Sequence, residues 1–236
     1  MIAERSVCEP RQLARDQWNR EYSTGKIIPS SSRSSPAKAL TLFEHTGAFG
    51  EGGNALDAGC GNGRNAIYLA ELGWNLTAVD ASPAAVEIAT RSVRRSSVTS
   101  RVCVNEQVLG EVWPYADETF DLVLDSYVLC HYSDEEFIHS YLRQMRRTLS
   151  PDGIAYSAFF STSDSYYRAV GLPVADCSNT VVDPHNGLRK RLYEFDELSS
   201  LLGEYFKIEA KVDFRFDDTC IGERYERSVL AFLMRR

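Results

Sequence analysis

A glycine-rich turn between a short apolar strand and a helix constrains this chain more than any other feature of its sequence. The turn reads Asp57-Ala58-Gly59-Cys60-Gly61-Asn62-Gly63, so three glycines alternate with small or polar residues. Glycine lacks a Cβ, which lets the backbone turn tightly and lets a ligand lie directly against the main chain. The pattern therefore predicts a ligand site at the point where the strand ends and the helix begins.

Two acidic residues narrow the kind of ligand. Asp80 follows Gly63 by 17 residues and stands at the predicted end of the next strand. A carboxylate at this place in an α/β unit accepts hydrogen bonds from the two hydroxyls of a ribose. Asp57, two residues before the first glycine of the turn, would repel a pyrophosphate but would favour an ammonium group. The pair therefore favours an adenosine ligand with a cationic end over a dinucleotide.

Strands and helices alternate along most of the chain. Strands are predicted at 55–58, 75–79, 101–105, 120–125, 154–160, 206–212 and 228–234, and helices at 11–22, 37–46, 64–72, 82–95, 134–149 and 195–202. This order predicts an α/β, Rossmann-like fold whose mostly parallel, seven-stranded sheet carries helices on both faces.

The same pattern suggests a division of the chain into a lid, a main domain and an insert. We expect an N-terminal lid and helices over residues 1–46 and the Rossmann-like domain over 47–236. Residues 161–193 interrupt the alternation, and they hold several tyrosines and the basic run 189–191. This insert is either a substrate cap or a surface loop with a solvated charge run. Residues 151–153 are predicted to form a turn.

Taken together, four motifs resemble those of the class I S-adenosylmethionine-dependent methyltransferases. They are Leu56–Gly63, Val79–Ser82, Trp113–Val123 and Leu149–Gly153. The run 61–70 is similar to that of small-molecule members of the tellurite-resistance type. The resemblance implies a methyltransferase fold, S-adenosyl-L-methionine as cofactor and methyl transfer to a small-molecule N or O acceptor, with secondary metabolism as one setting.

The resemblance also implies roles for individual residues. Asp57 and the backbone at Gly59 and Gly61 would face the methionine part of the cofactor. Asp80 would hold the ribose hydroxyls, and Ala81 would border the adenine. After the third strand the family usually carries an acid that binds the adenine amino group. Here Gln107 would accept that hydrogen bond through its amide oxygen, and Val108 would pack on the adenine ring. The remaining residues predicted to bind the cofactor are Cys60, Arg64, Asn65, Asp125, Ser126, Trp18, Tyr22 and Arg33.

The methyl acceptor is expected beyond the fourth strand of the sheet. His131 is the candidate general base, because an imidazole titrates near neutral pH; the alternative is a histidine that only packs. Tyr127 and Tyr132 would wall the acceptor pocket, and the insert would add Tyr166 and Tyr167. Trp18 and Tyr22 share a helix face and would cover the cofactor, while Arg33 would pair with its carboxylate. No metal site is predicted.

The composition and net charge of the chain mainly argue against certain partners and locations. The net charge of −7 argues against a long nucleic-acid partner, which needs a basic footprint. Because the six cysteines are scattered, we expect a cytoplasmic protein. No run of about 18 apolar residues occurs, so no membrane span is expected. The protein is expected to be either a monomer or a homodimer. Three alternatives stay open: a nicotinamide-dependent oxidoreductase, an RNA or protein methyltransferase, and a non-enzymatic partner subunit.

Overall fold

A computed structural model describes residues 11–24, 36–175 and 177–236 of the chain. Its helices are α1 Arg11–Thr24, α2 Lys38–His45, α3 Arg64–Glu71, α4 Pro83–Arg94, α5 Glu135–Thr148, α6 Ser165–Val170 and α7 Phe195–Gly203. Its strands are β1 Gly53–Ala58, β2 Trp74–Asp80, β3 Val102–Glu106, β4 Phe120–Ser126, β5 Leu149–Phe160, β6 Leu172–Pro173, β7 Thr180–Val182, β8 Arg189–Arg191, β9 Lys207–Cys220 and β10 Glu223–Arg235. Short 3-10 turns precede β3, at Thr99–Arg101, and follow β4, at Leu129–His131.

The main sheet has seven strands in the order β3-β2-β1-β4-β5-β10-β9. Strands β1 to β5 pair in parallel, whereas β10 pairs antiparallel with both β5 and β9. The predicted Rossmann-like sheet is confirmed. The strand order reverses between β1 and β4, and in such sheets ligands bind beyond the carboxyl ends of the strands at this reversal.

The core lies on both faces of the sheet because the central strands alternate apolar residues toward each side. In β1, Ala55 packs with the layer that contains Leu69 and Tyr156. Leu56, its neighbour, packs with the opposite layer, which contains Phe137. Both faces of β1 are therefore dry, and its polar ligand-binding groups are confined to the turn at its carboxyl end.

Helix α4 begins where the sequence predicts. The Ser82 hydroxyl accepts a hydrogen bond from Ala85 N at 3.2 Å, and Pro83 occupies the first helical position. This cap fixes the start of α4 directly after β2, which holds Asp80 at the edge of the ligand crevice. No helix within the described residues is long and apolar enough to cross a membrane.

The predicted turn at 151–153 is instead an irregular part of β5. Phe120 pairs with Leu149 and Leu122 with Ile154, so the register shifts and the extra residues of β5 bulge out. A Cβ on Gly153 would lie 2.8 Å from Ser150 O, which shows how tightly the backbone bends there. The turn-forming residues therefore shape a bulge within the strand, and the prediction of a separate turn is wrong.

The insert folds as α6 and a small antiparallel sheet in the order β6-β7-β8, and it is not a solvated loop. Lys190 is only 4% exposed. Arg191 pairs with Glu135 and Glu197 on the opposite side. The hairpin of β9 and β10 also extends beyond the predicted strands and packs on the insert, with Tyr225 against Tyr166. Sequence reasoning missed this extension because charged residues interrupt its apolar pattern.

Candidate functional site

A cavity of about 620 Å³ lies beyond the carboxyl ends of the parallel strands. This volume is within the roughly 300–1,000 Å³ typical of small-molecule sites. We call one side the sheet end; it is lined by the glycine turn and by the residues that follow β2 and β3. We call the other side the insert end; it is lined by Phe160, Tyr166, Tyr167, Asp183, Asn186, Lys190, Phe216, Asp218, Cys220, Arg227 and Val229.

At the sheet end, the glycines are required by close contacts as well as by backbone conformation. Gly59 and Gly61 have φ angles of 73° and 56°, which side-chain-bearing residues rarely adopt. A Cβ on Gly59 would lie 2.3 Å from Val128 Cγ2. A Cβ on Gly61 would lie 2.5 Å from the hydroxyl of Tyr22. The turn is therefore covered on one side by the segment after β4 and on the other by α1.

Asp80 joins the glycine turn to the start of α4. Its Oδ2 accepts a hydrogen bond from Gly61 N at 2.9 Å, and its Oδ1 accepts one from Ser82 N at 2.9 Å. Each carboxylate oxygen has a second lone pair, and the side chain lines the cavity. Burial raises the pKa of this carboxyl, while the backbone N–H groups oppose that shift. Asp80 is thus both a brace for the turn and an acceptor facing the cavity, with Ala81 beside it.

Asp57 lies behind the glycine turn and does not line the cavity. It is 1% exposed, and within the described part of the chain its Oδ2 is buried without a hydrogen-bond partner. Burial, and secondly the nearby Asp80, raise the pKa of Asp57 to about 7. The expectation that it faces the ligand directly is corrected, because its side chain is buried behind the turn and does not line the cavity.

Asp125 also lies outside the cavity. It is fully buried, and its carboxylate accepts hydrogen bonds from Val128 N at 2.9 Å and Leu129 N at 3.2 Å. The structure therefore does not place this carboxylate where a ligand contact was expected, because it is turned toward these backbone amides and does not line the cavity. Its neighbour Ser126 does line the cavity.

Three further predicted residues line the cavity: Cys60 in the glycine turn, and Arg64 and Asn65 at the start of α3. Asn65 Oδ1 accepts a hydrogen bond from Ala37 N at 2.9 Å, which ties the glycine turn to the segment before α2. Burial raises the pKa of the Cys60 thiol well above its ordinary value, so this sulfur stays protonated and unreactive. Cys60 is a packing residue of the turn.

Gln107 and Val108 lie at the end of β3 as predicted, and both line the cavity. Gln107 N donates to Asp80 O at 2.9 Å, and its side-chain Nε2 donates to Val108 O at 2.9 Å. With its amide nitrogen used in this way, the amide oxygen is the end left to meet a ligand. Glu106 does not substitute for the missing acid, because it pairs with Arg15 at 2.7 Å.

Helix α1 is attached to residues 81–84, where β2 leads into α4, by polar contacts that sequence reasoning missed. Arg15 Nε donates to Ala81 O at 2.9 Å. Asn19 Oδ1 accepts hydrogen bonds from Ser82 Oγ and Ala84 N, both at 3.1 Å. Their spacing of four residues on a helix was the available signal.

Trp18 and Tyr22 lie on the cavity side of α1. Their rings stack at 5.7 Å, and both line the cavity. Arg33, the third predicted residue of the lid, lies outside the described residues.

His131 lines the cavity, but its surroundings do not suit a general base. Its Nδ1 lies 2.9 Å from Arg189 O, so this nitrogen carries the proton and donates it to the carbonyl. Burial, and secondly the charge of Lys190, lower the pKa of His131 well below 6.5. An imidazole with so low a pKa holds a proton weakly. The prediction of His131 as the proton acceptor is therefore not supported, and a neutral, orienting histidine fits better.

Aromatic rings and charged side chains pack together at the insert end. Arg227 lies 5.1 Å from the Tyr166 ring and 5.3 Å from the Tyr167 ring. Its Nε donates to Asp164 Oδ2 at 2.8 Å. The Tyr166 hydroxyl donates to Asp183 at 3.1 Å. The predicted acceptor-side tyrosines of the insert are therefore brought to the cavity, held by charged residues that the sequence did not single out.

Two more predicted tyrosines reach the cavity from the segment after β4. Tyr127, with a φ of 70°, stacks on Phe160 at 4.7 Å. Tyr132 packs on Phe137 at 4.4 Å. Both line the cavity, and they connect its sheet end to its insert end.

Comparison with known proteins agrees with this geometry. Residues 55–153 match the family model described as a methyltransferase domain. A ubiquinone biosynthesis O-methyltransferase of Methylocella silvestris is 36% identical over 110 residues, which are 46% of this chain and 40% of that protein. The chain thus spans less than half of the length of this curated relative.

Solved structures share the fold over much more of the chain. A 1,6-didemethyltoxoflavin-N1-methyltransferase of Burkholderia thailandensis, solved with 1,6-didemethyltoxoflavin and S-adenosylhomocysteine, has a TM-score of 0.70 and 21% identity. It aligns with 99% of this chain and 93% of its own. A SAM-dependent methyltransferase of Methanosarcina mazei has a TM-score of 0.70 and 18% identity, with 86% and 98% covered. These likenesses confirm the predicted fold.

Proposed function

We propose that the protein methylates a small molecule with S-adenosyl-L-methionine as cofactor, as a class I methyltransferase whose residues 55–153 match the methyltransferase-domain model. The observation that carries the proposal is Asp80, which is bonded to Gly61 of the glycine turn and faces the cavity beneath α1. The match to a methyltransferase domain weighs against the nicotinamide-dependent alternative. The tellurite-resistance subgroup stays a prediction.

The sheet end of the cavity has groups that fit each part of this cofactor. The bare backbone at Gly59 and Gly61 would accommodate the methionine part, and the buried acids behind it favour positive charge. Asp80 would accept hydrogen bonds from the ribose, and the Gln107 amide oxygen would accept one from the adenine. When bound, the cofactor supplies a methyl group on a positively charged sulfur.

The chain's own contribution to methyl transfer is to place the acceptor and exclude water. Transfer in line with the breaking carbon–sulfur bond depends mainly on position. We assign α1 as a lid over the cofactor and the insert, residues 161–193, as a cap over the acceptor. Tyr127, Tyr166 and Tyr167 would hold a flat acceptor at the insert end. The relatives carry both O- and N-methyltransferase in their names, and either kind of acceptor is compatible with this arrangement.

Calorimetric titration with S-adenosylhomocysteine tests the proposal. We expect the wild type to bind and Asp80→Asn to bind at least tenfold more weakly, because charge-assisted hydrogen bonds contribute about 1.5–3 kcal/mol. Asp117→Asn is the matched control, because Asp117 is an exposed acid that pairs with Arg147 outside the cavity. Binding of NADH in place of S-adenosylhomocysteine, or equal binding by Asp80→Asn, would refute the proposal.

A further inference from the structure

An arginine at the insert end lines the cavity, whereas its carboxylate partner does not. Arg227 lies on β10 and is 8% exposed. Its Nε donates to Asp164 Oδ2 at 2.8 Å, and Asp164 is fully buried outside the cavity lining. Asp164 also accepts hydrogen bonds from Ser228 N and Tyr167 N, both at 3.1 Å. The charge of the arginine is therefore balanced by a carboxylate that a ligand in the cavity would not touch.

The guanidinium of Arg227 has donors left after this ion pair is made. A guanidinium carries five N–H groups and no acceptor. Its Nε–H is used by Asp164, and its Nη1 makes a long contact with Cys220 Sγ at 3.5 Å. Within the described residues Nη2 makes no hydrogen bond, and this atom is not closed off from solvent. Nη2 therefore has N–H groups available to a ligand.

Three aromatic rings surround the guanidinium. It lies 5.1 Å from the ring centroid of Tyr166 and 5.3 Å from those of Phe160 and Tyr167, which are distances typical of cation–π contacts. All three rings line the cavity. Because the ion pair holds Nε and the rings pack around the rest of the group, we infer that its open edge faces the cavity. Phe160 also stacks on Tyr127 at 4.7 Å, so the aromatic wall continues to the end of β4.

The charges at the insert end are close to balance. Arg227 and Lys190 line it together with the carboxylates of Asp183 and Asp218, and Asp164 is paired with Arg227 from outside the cavity. Lys190 and both cavity carboxylates have polar contacts of their own. Two cations thus face three carboxylates. An ion that entered this end would lose its hydration without gaining an unopposed counter-charge, so a neutral ligand is favoured.

We propose that Arg227, held by Asp164, binds a carbonyl oxygen of a neutral, flat methyl acceptor through Nη2. This inference rests on the proposed function and names the class of its acceptor. A carbonyl oxygen only accepts hydrogen bonds, which matches a group that only donates them. The ring that carries the carbonyl would pack on the surrounding aromatic side chains. The atom that receives the methyl group would then lie toward Tyr127, where the insert end meets the sheet end.

Four probes with one bicyclic frame test the proposal at neutral pH, on the complex with S-adenosylhomocysteine. 1-Indanone carries a neutral carbonyl, indane lacks it, indane-1-carboxylate is an anion and 1-aminoindane is a cation. In NMR titrations we expect 1-indanone to bind about tenfold more tightly than each of the others, because a hydrogen bond from a charged donor is stronger than a neutral one. Equal binding of 1-indanone and indane, tighter binding of either ion, or binding of no probe overturns the proposal.

Arg227→Lys locates the effect, because a lysine keeps a positive charge beside Asp164 but lacks Nη2. The preference for 1-indanone over indane should be lost, whereas the affinity for S-adenosylhomocysteine should not change. A failure of the cofactor proposal is therefore separable from a failure of this one. Arg191→Lys is the matched control and should keep the preference, because Arg191 pairs with Glu135 and Glu197 and does not line the cavity.

A second variant removes the ion pair altogether. Arg227→Met combined with Asp164→Asn leaves neither charge buried without its partner, so we expect this protein to fold. Its preference for 1-indanone should also be lost, again with unchanged affinity for S-adenosylhomocysteine. A preference that survives in either folded variant overturns the assignment of Arg227.

Discussion

The contact between Gly61 and Tyr22 provides a direct test of whether α1 closes over the glycine turn. A Cβ on Gly61 would meet the Tyr22 hydroxyl at 2.5 Å, whereas the next atom of that ring, Cζ, is 3.6 Å away. Since ordinary contacts begin near 3.4 Å, the hydroxyl of Tyr22 would have to retreat by about 1 Å in Gly61→Ala. In Gly61→Ala combined with Tyr22→Phe, no retreat is needed.

The backbone cost of the substitution is separate from the clash. Gly61 has a φ of 56°, and an alanine there loses about 1–2 kcal/mol of folding stability whatever residue stands at position 22. Gly47, with a φ of 74° and nothing within 4 Å of a built Cβ, carries the same backbone cost without any clash. Gly47→Ala is therefore the matched control for strain alone.

We expect the clash to appear in ligand affinity. Gly61→Ala should weaken binding of S-adenosylhomocysteine about tenfold, or about 1.4 kcal/mol, because the lid is pushed away from the turn. Tyr22→Phe alone should have a small effect, and the double variant should recover most of the loss. The coupling energy should be about 1 kcal/mol, within the range for residues in contact.

Calorimetry on the four proteins of this cycle measures the coupling, and urea unfolding measures the strain. Gly47→Ala should lose stability but keep its affinity for S-adenosylhomocysteine. Purely additive effects of Gly61→Ala and Tyr22→Phe on affinity would show that α1 does not cover the turn in solution. The assignment of α1 as a lid would then fail, although the cofactor site would still stand on the Asp80 test.

Two buried acids give further predictions. Because the folded-state pKa of Asp57 is raised to about 7, the folded protein binds an extra proton at mildly acidic pH, and this stabilisation is lost as the pH rises toward that value. Asp57→Asn should therefore be more stable than wild type at pH 8 by a margin that shrinks toward pH 5 in thermal melts; a constant margin would contradict this. Asp164→Asn should lower the free energy of unfolding by about 3–5 kcal/mol in urea titrations, because it leaves the buried Arg227 without its carboxylate. The control Asp217→Asn breaks an exposed pair and should cost less than about 1 kcal/mol, so equal losses would count against the reasoning.

Local sequence signals were sufficient for the framework and for part of the site. The alternation of apolar strands and helices predicts the seven-stranded sheet, and the Ser82-Pro83 start places α4 within a residue. The glycine spacing and Asp80 predict the sheet end of the cavity, because a backbone turn with positive φ angles favours glycine and is therefore visible in the sequence.

Contacts between distant segments could not be predicted from the local sequence pattern. Asp57 and Asp125 are acids at strand ends by sequence, but only the packed structure shows that both lie outside the cavity. Lys190 belongs to a basic run that resembles a solvated surface by composition. The pairing of β8 against the turn after β4 buries its side chain beside His131 and separates it from Arg191.

The sequence by itself thus determined the individual strands and helices, their order along the chain and the cofactor-binding turn, because these depend on residues close together in the chain. The tertiary structure alone decided which charged groups enter the cavity, the character of His131 and the reach of α1 over the glycine turn. Those properties depend on desolvation and on contacts across more than 50 residues of chain, such as His131 with Arg189 at a separation of 58. Periodicity and residue spacing do not encode them.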